Sequence, residues 1–113
     1  MRNFYLLSLM ALSGAVHAAL PVSAADASKA QDLAKTTGCL ACHSLTEKIV
    51  GPAYSKVAEK YAQDPDAVET LAHSVQYGSK GKWGRIPMPA HADLNADNLH
   101  LLVRWVLSIE KPQ

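Results

Sequence analysis

The chain has 113 residues, of which 49% are hydrophobic and 19% charged, and it contains no low-complexity tract. This length and composition fit one compact domain and exclude several enzyme-sized domains. The formal net charge is +1 and no block of basic residues occurs, so the sequence lacks the electrostatic footprint of a nucleic-acid-binding protein.

The first 25 residues have the layout of a secretory signal peptide. Arg2 precedes an uncharged run over residues 4–16, and small residues follow up to Ala25. The run is shorter than the roughly 20 apolar residues that span a bilayer, and Pro21 follows it. We therefore expect cleavage near Ala25, with an uncleaved anchor as the alternative. Residues 26–113 would form an exported, nearly neutral domain without stable membrane insertion.

Two helices are predicted in the first half of this domain, and no alternating strand pattern competes with them. The first covers residues 26–35, with Asp26 or Ser28 as N-cap, and stops at Gly38. The second covers residues 53–62 and follows a Gly-Pro pair. Its inward face is expected to carry Tyr54, Val57, Ala58 and Tyr61.

Two further helices are predicted in the second half. Asp64 is expected to cap the third, which has Pro65 in its first turn and ends at Gly78 as a left-handed terminator. The fourth follows Asn95 and covers residues 96–110. The inward residues of the third helix are Val68, Leu71, Ala72 and Val75, and those of the fourth are Leu99, Leu102, Val103, Val106 and Ile109, with Trp105 packed against a neighbour.

The irregular segment between Gly78 and Asn95 is rich in glycine and proline. Loops of this length in a compact domain are usually functional. Pro87 and Pro89 restrict the backbone on both sides of Met88, so we expect Met88 to lie on a rigid loop.

The sequence Cys39-Leu40-Ala41-Cys42-His43 is the C-x-x-C-H motif of c-type haem attachment. Cysteines three positions apart share one face of a helical turn, so both sulfurs reach one porphyrin edge while the histidine turns towards the iron. The alternatives are a local disulfide, half of a zinc site or a coincidence. A zinc site would lack its second pair of ligands, since no other CxxC or HxxxH occurs.

An electron-transferring haem needs a second axial ligand, and five side chains are candidates: His73, His91, His100, Met10 and Met88. Met10 leaves with the signal peptide, and His73 and His100 fall inside predicted helices. Met88 on its rigid loop is the preferred ligand, and His91 is the second choice.

These motifs resemble the small monohaem bacterial class I cytochromes c of the cytochrome c-551 type, also called cytochrome c8. The resemblance rests on the segments CLACHSLTEKIVGPAYSKVAEKY, GSKGKWGRIPMPAHADL and LVRWVLS, and it runs from about Asp32 to Ser108. It implies an all-α fold with four to five helices wrapped around one covalently attached haem c, with the first and last helices crossing.

The resemblance also implies roles for individual residues. Cys39 and Cys42 match the thioether cysteines, and His43 and Met88 match the two iron ligands. The two remaining cofactor-binding positions are Pro52, whose carbonyl would accept the free N–H of the ligand histidine, and Trp83, whose indole would donate to a haem propionate.

Three positions depart from the pattern expected of these cytochromes. His91 stands where an asparagine is common near the methionine sulfur, and Ser74 where an arginine often meets a propionate. Ala34 stands where an aromatic residue often packs on the last helix. These departures concern the tuning of the potential and helix packing, and none of them removes an iron ligand.

The resemblance implies a soluble periplasmic electron carrier, not an enzyme, and we expect a monomer. Its partners would be redox proteins: a bc-type complex as donor, and a nitrite reductase, a terminal oxidase or a peroxidase as acceptor. A haem enzyme or gas sensor with a labile distal ligand is the alternative. A dithiol oxidoreductase is a third class, but the strand pattern of the thioredoxin fold is missing.

Electrons would leave through the exposed haem edge. The resemblance places there an apolar rim of Leu40, Ala41, Ile49, Val50, Ile86, Pro87, Pro89 and Ala90. A basic fringe of Lys35, Lys48, Lys80, Lys82 and Arg85 would either orient a partner or form an ordinary solvated surface.

Overall fold

The computed structural model describes residues 21–113, and the greater part of the predicted signal peptide lies outside that range. Within it the fold is all-α, as predicted. Four α-helices are present: α1 (Ala24–Thr36), α2 (Tyr54–Lys60), α3 (Ala67–Tyr77) and α4 (Ala96–Leu107), with a short 3₁₀ helix at Cys39–Ala41. No helix among the described residues is long and apolar enough to cross a membrane.

Helix α1 begins two residues before the predicted start, because its N-cap is neither Asp26 nor Ser28. The hydroxyl of Ser23 accepts a hydrogen bond from the backbone N–H of Asp26 at 3.0 Å. Ala24 and Ala25 then extend the helix, since alanine has the highest helix propensity. The fully buried positions of its inward face carry small side chains, Ala30 and Ala34, and Leu33 packs against the core beside them.

The other three helices are shorter than predicted. Helix α2 covers Tyr54–Lys60 and not residues 53–62, and helix α4 ends at Leu107 and not at residue 110. Helix α3 begins at Ala67, because the Asp64 carboxylate accepts from the Asp66 N–H at 2.8 Å and caps a preceding turn instead. Gly78 ends α3 with φ 78° and ψ 174°, a positive-φ conformation that suits glycine but is not the predicted left-handed helical one.

Helix α4 forms the centre of the domain and packs against each of the other three α-helices. Asn95 caps it as predicted, with its side-chain oxygen accepting from the Asn98 N–H at 2.9 Å. The inward stripe is buried at Leu99, Leu102, Val103 and Trp105. With α4 as support, the loops after α1 and after α3 meet on one side of the core, and the candidate site lies there.

Candidate haem site

The C-x-x-C-H segment forms a single tight turn directly after α1. Gly38 adopts a left-handed conformation with φ 80° and reverses the chain. The backbone N–H groups of Cys42 and His43 then donate to the carbonyl oxygen of Cys39, at 3.2 and 3.0 Å. These bonds produce the helical turn that the cysteine spacing predicts.

The two thiols are half-buried and are not joined by a disulfide. The Thr37 hydroxyl lies 3.3 Å from the Cys39 sulfur and also donates to the Leu33 carbonyl at 2.7 Å, which ties the first cysteine to the end of α1. No group of three or more metal-binding side chains of the His, Cys, Asp and Glu type forms among residues 21–113. Neither the disulfide nor the zinc interpretation therefore finds support in this geometry.

The ring of His43 is held by its Nδ1 atom, which lies 2.7 Å from the carbonyl oxygen of Pro52. A carbonyl oxygen can only accept, so Nδ1 carries the proton and Nε2 keeps a free lone pair. Tyr54 stacks on the ring at 4.9 Å between centroids and 19° between planes. Burial raises the pKa of the Tyr54 phenol, with smaller contributions from the two cysteines, so this neighbour stays neutral.

Gly51 also positions His43, a role that the sequence motifs did not indicate. A Cβ atom at this position would lie 2.6 Å from Cε1 and 2.9 Å from Nδ1 of His43. The Gly51 N–H donates to the Cys42 carbonyl at 2.7 Å, so the backbone cannot easily withdraw. The only sequence signal was a glycine directly before the proline that holds the histidine.

Replacing Gly51 with alanine is therefore expected to displace the imidazole and destabilise the haem-loaded protein by about 1–3 kcal/mol, as overpacking does. Thermal unfolding measures the loss, and the visible spectrum reports the altered ligand. Gly81→Ala is the control, because a Cβ atom there meets nothing within 4 Å and only the positive φ is strained. Equal spectra for the two variants would show that Gly51 does not position His43.

Met88 is anchored by Ser79, at the start of the same irregular segment. Its backbone N–H donates to the Ser79 carbonyl at 2.9 Å, and its carbonyl accepts from the Ser79 N–H at 3.1 Å. Gly78 allows this close approach, since a Cβ atom there would lie 2.6 Å from the Met88 carbonyl oxygen. The methionine is thus fixed to the end of α3 in addition to being flanked by two prolines.

His43 and Met88 line the same two adjoining clefts. Cys42 and Gly51 lie at one cleft, and Trp83 and Ser79 are shared by both. The apolar walls come from α2, α3 and α4 through Tyr54, Val57, Leu71, Val75, Val103 and Val106. An imidazole with a free nitrogen, a thioether, two thiols and these walls suit an iron porphyrin.

The other histidines of the described region do not line either cleft. His73 is exposed and packs on Tyr77, and His100 lies 3.2 Å from the Glu69 carboxylate. The backbone N–H of His91, the second-choice ligand, donates to the Val75 carbonyl at 2.9 Å.

The surface around the clefts has the predicted apolar character. Ile49, Val50 and Ile86 are 50%, 46% and 68% exposed. Ala41, Pro87, Pro89 and Ala90 are exposed as well, whereas Leu40 is half-buried and packs on the core.

Comparisons with known proteins agree with this geometry. The family model described as Cytochrome c matches residues 27–110. The chain is 40% identical to cytochrome c-552 of Hydrogenobacter thermophilus over 97% of this chain and 100% of the relative. It is 42% identical to cytochrome c-551 of Pseudomonas aeruginosa over 96% of this chain and 98% of the relative.

The crystal structure of wild-type cytochrome c552 from Nitrosomonas europaea superposes with a TM-score of 0.68 at 41% identity, covering 71% of this chain and 99% of that one. Fold and site together define a small class I c-type haem protein, as the C-x-x-C-H turn and the methionine loop predicted. The chain belongs to the cytochrome c family, whose members carry a covalently attached haem c. Its relatives are small electron carriers.

Proposed function

We propose that this chain is a soluble periplasmic electron carrier, with His43 and Met88 as the axial ligands of one haem c bound through Cys39 and Cys42. The observation that carries the proposal is the convergence of an oriented imidazole and an anchored thioether on one apolar cleft beside the C-x-x-C-H turn. When bound, the haem supplies one-electron chemistry at its iron.

The residues around the cleft would favour the reduced state of the haem iron. The Pro52 carbonyl fixes the tautomer of His43 and makes Nε2 a better donor. The Met88 thioether would be a soft, neutral ligand, which would favour Fe(II) over Fe(III). The apolar walls further disfavour the extra positive charge of the oxidised state. We therefore expect a high reduction potential and little rearrangement on electron transfer.

Because His43 and Met88 would both bind the iron and leave no ligand position open, the reduced protein is expected to leave carbon monoxide unbound at neutral pH. Mixing it with the gas and recording the visible spectrum tests this, and Met88→Ala serves as the variant that does bind. Rapid binding by the unaltered protein would instead favour the enzyme or gas-sensor interpretation.

For partners we propose a bc-type complex as electron donor and a nitrite reductase, a terminal oxidase or a peroxidase as acceptor. The exposed apolar rim supports a small transient interface beside the clefts. All five residues of the predicted fringe are exposed and add positive charge: Lys35, Lys48, Lys80, Lys82 and Arg85.

If this fringe steers the partner, the rate of electron transfer to an acidic acceptor should fall as the salt concentration rises. The reason is that salt screens charges, and the screening length is only about 8 Å at an ionic strength of 0.15 M. Stopped-flow mixing measures the rate, and Lys80→Gln should weaken its salt dependence. Lys29→Gln, an exposed lysine of α1 outside the fringe, is the matched control. A rate independent of salt would reject steering.

The periplasmic location rests on the signal-peptide layout of residues 1–25. The alignments with the two relatives cover 97% and 96% of this chain, so they extend into that segment. Cleavage after Ala25 would remove the Ser23 cap but keep Ala30 and Ala34, the two buried residues of α1.

A further inference from the structure

Lys82 directs its ammonium group onto a buried hydroxyl. Its Nζ atom donates to Ser74 Oγ at 2.8 Å, and Ser74 is only 7% exposed. The same hydroxyl donates to the Thr70 carbonyl at 3.2 Å, which fixes it on α3. Among the ion pairs that the described residues form, none involves Lys82. A long, flexible cation is therefore placed beside a neutral group although no carboxylate attracts it there.

Both residues line the cleft that also contains His43 and Met88. Trp83 lies next to them and contributes an indole N–H, a donor without acceptor capacity. Lys60, from the last turn of α2, holds its Nζ atom 4.6 Å from the centre of the Trp83 ring. This end of an otherwise apolar cleft is thus positively charged and rich in hydrogen-bond donors.

The remaining titratable groups of the cleft do not offset this charge. His43, Tyr54 and Tyr61 line it, and no aspartate or glutamate appears among the residues lining either cleft in the described chain. A cation near low-dielectric walls interacts with an anion more strongly than it does in open water. The cleft end is therefore suited to a carboxylate.

We propose that Lys82, positioned by Ser74, binds a carboxylate of the haem and thereby raises its reduction potential. The proposal rests on the haem site described above, because the propionates are the anionic groups of that cofactor. It assigns to Lys82, an exposed member of the basic fringe, a role other than orienting a partner or forming an ordinary solvated surface. It also accounts for Ser74: a short hydroxyl leaves room for the lysine and holds its ammonium group in the cleft.

The sign of the effect follows from charge. An ammonium group near the haem favours Fe(II), so Lys82→Gln is expected to lower the potential. The same ammonium group stabilises the ionised carboxylate and keeps the pKa of that carboxyl low. Its removal should raise this pKa, and the pH at which the potential begins to fall should move upward by about one unit or more.

Spectroelectrochemical titration of the haem-loaded protein between acidic and alkaline pH measures both quantities. Lys82→Arg should keep the charge and retain most of the potential, and Ser74→Ala should give an intermediate loss. Lys80→Gln is the matched control, since it removes an exposed positive charge two residues away that lines neither cleft.

A potential and pH profile of Lys82→Gln equal to those of Lys80→Gln would overturn the proposal. That outcome is distinguishable from failure of the haem site itself, because the unaltered protein would still show covalently attached haem with a methionine ligand.

Discussion

Replacing Met88 with alanine should leave the haem covalently attached but open one face of its iron. The reduction potential should fall by on the order of 0.2 V, a fraction of the span of about 0.8 V over which axial ligands set haem potentials. Loss of a neutral thioether allows water to coordinate, which stabilises Fe(III). The backbone bonds of residue 88 to Ser79 do not involve the side chain, so the loop itself should persist.

Redox titration measures the potential, and the methionine-to-iron charge-transfer band of the oxidised protein reports the ligand. Ile86→Ala is a matched control on the same loop, since Ile86 is 68% exposed. It should retain the band and a nearly unchanged potential. Persistence of the band in Met88→Ala would identify a different ligand, with His91 as the first candidate.

Replacing both Cys39 and Cys42 with alanine should abolish covalent attachment and, with it, most of the stability of the domain. A chain as short as residues 26–113 buries little more than ~60% of its unfolded surface and is marginal without a filler. Val57, Leu71 and Val103 line the cleft, so loss of the haem would leave these apolar walls without their packing partner.

A denaturing gel stained for haem measures attachment, and circular dichroism follows the helices. Ala41→Ser is the control, because it changes an exposed residue between the cysteines and preserves their spacing. It should stain normally. Haem that remains on the denatured double variant would show that other side chains attach it.

The features that local sequence determines were predictable. Helix α4 has a continuous apolar stripe and an asparagine cap, and the structure retains both. The C-x-x-C-H spacing specified the turn, and the two prolines around Met88 marked the loop that faces it. The helix count and the inward faces of α2 and α3 followed from periodicity in the same way.

The features that depend on competition or tertiary contact were not predictable. Ser23, Asp26 and Ser28 are all good N-caps, and their order along the chain does not say which one is used. Asp64 was assigned to α3, but its carboxylate caps a turn three residues earlier than the helix. The roles of Gly51 and of Lys82 depend on close contacts with His43 and Ser74, each 8 positions away in the sequence. Hydrophobic periodicity does not predict such contacts.

Isotope labelling of the methionine methyl group tests the central claim most directly. The chain has three methionines, of which Met88 alone lies beyond residue 25, so the processed protein should give one labelled signal. In the reduced, haem-loaded protein, ligation of iron would place this methyl group over the porphyrin face. We predict a nuclear magnetic resonance signal shifted strongly upfield by the ring current, whereas a signal at the ordinary methionine position would contradict the account.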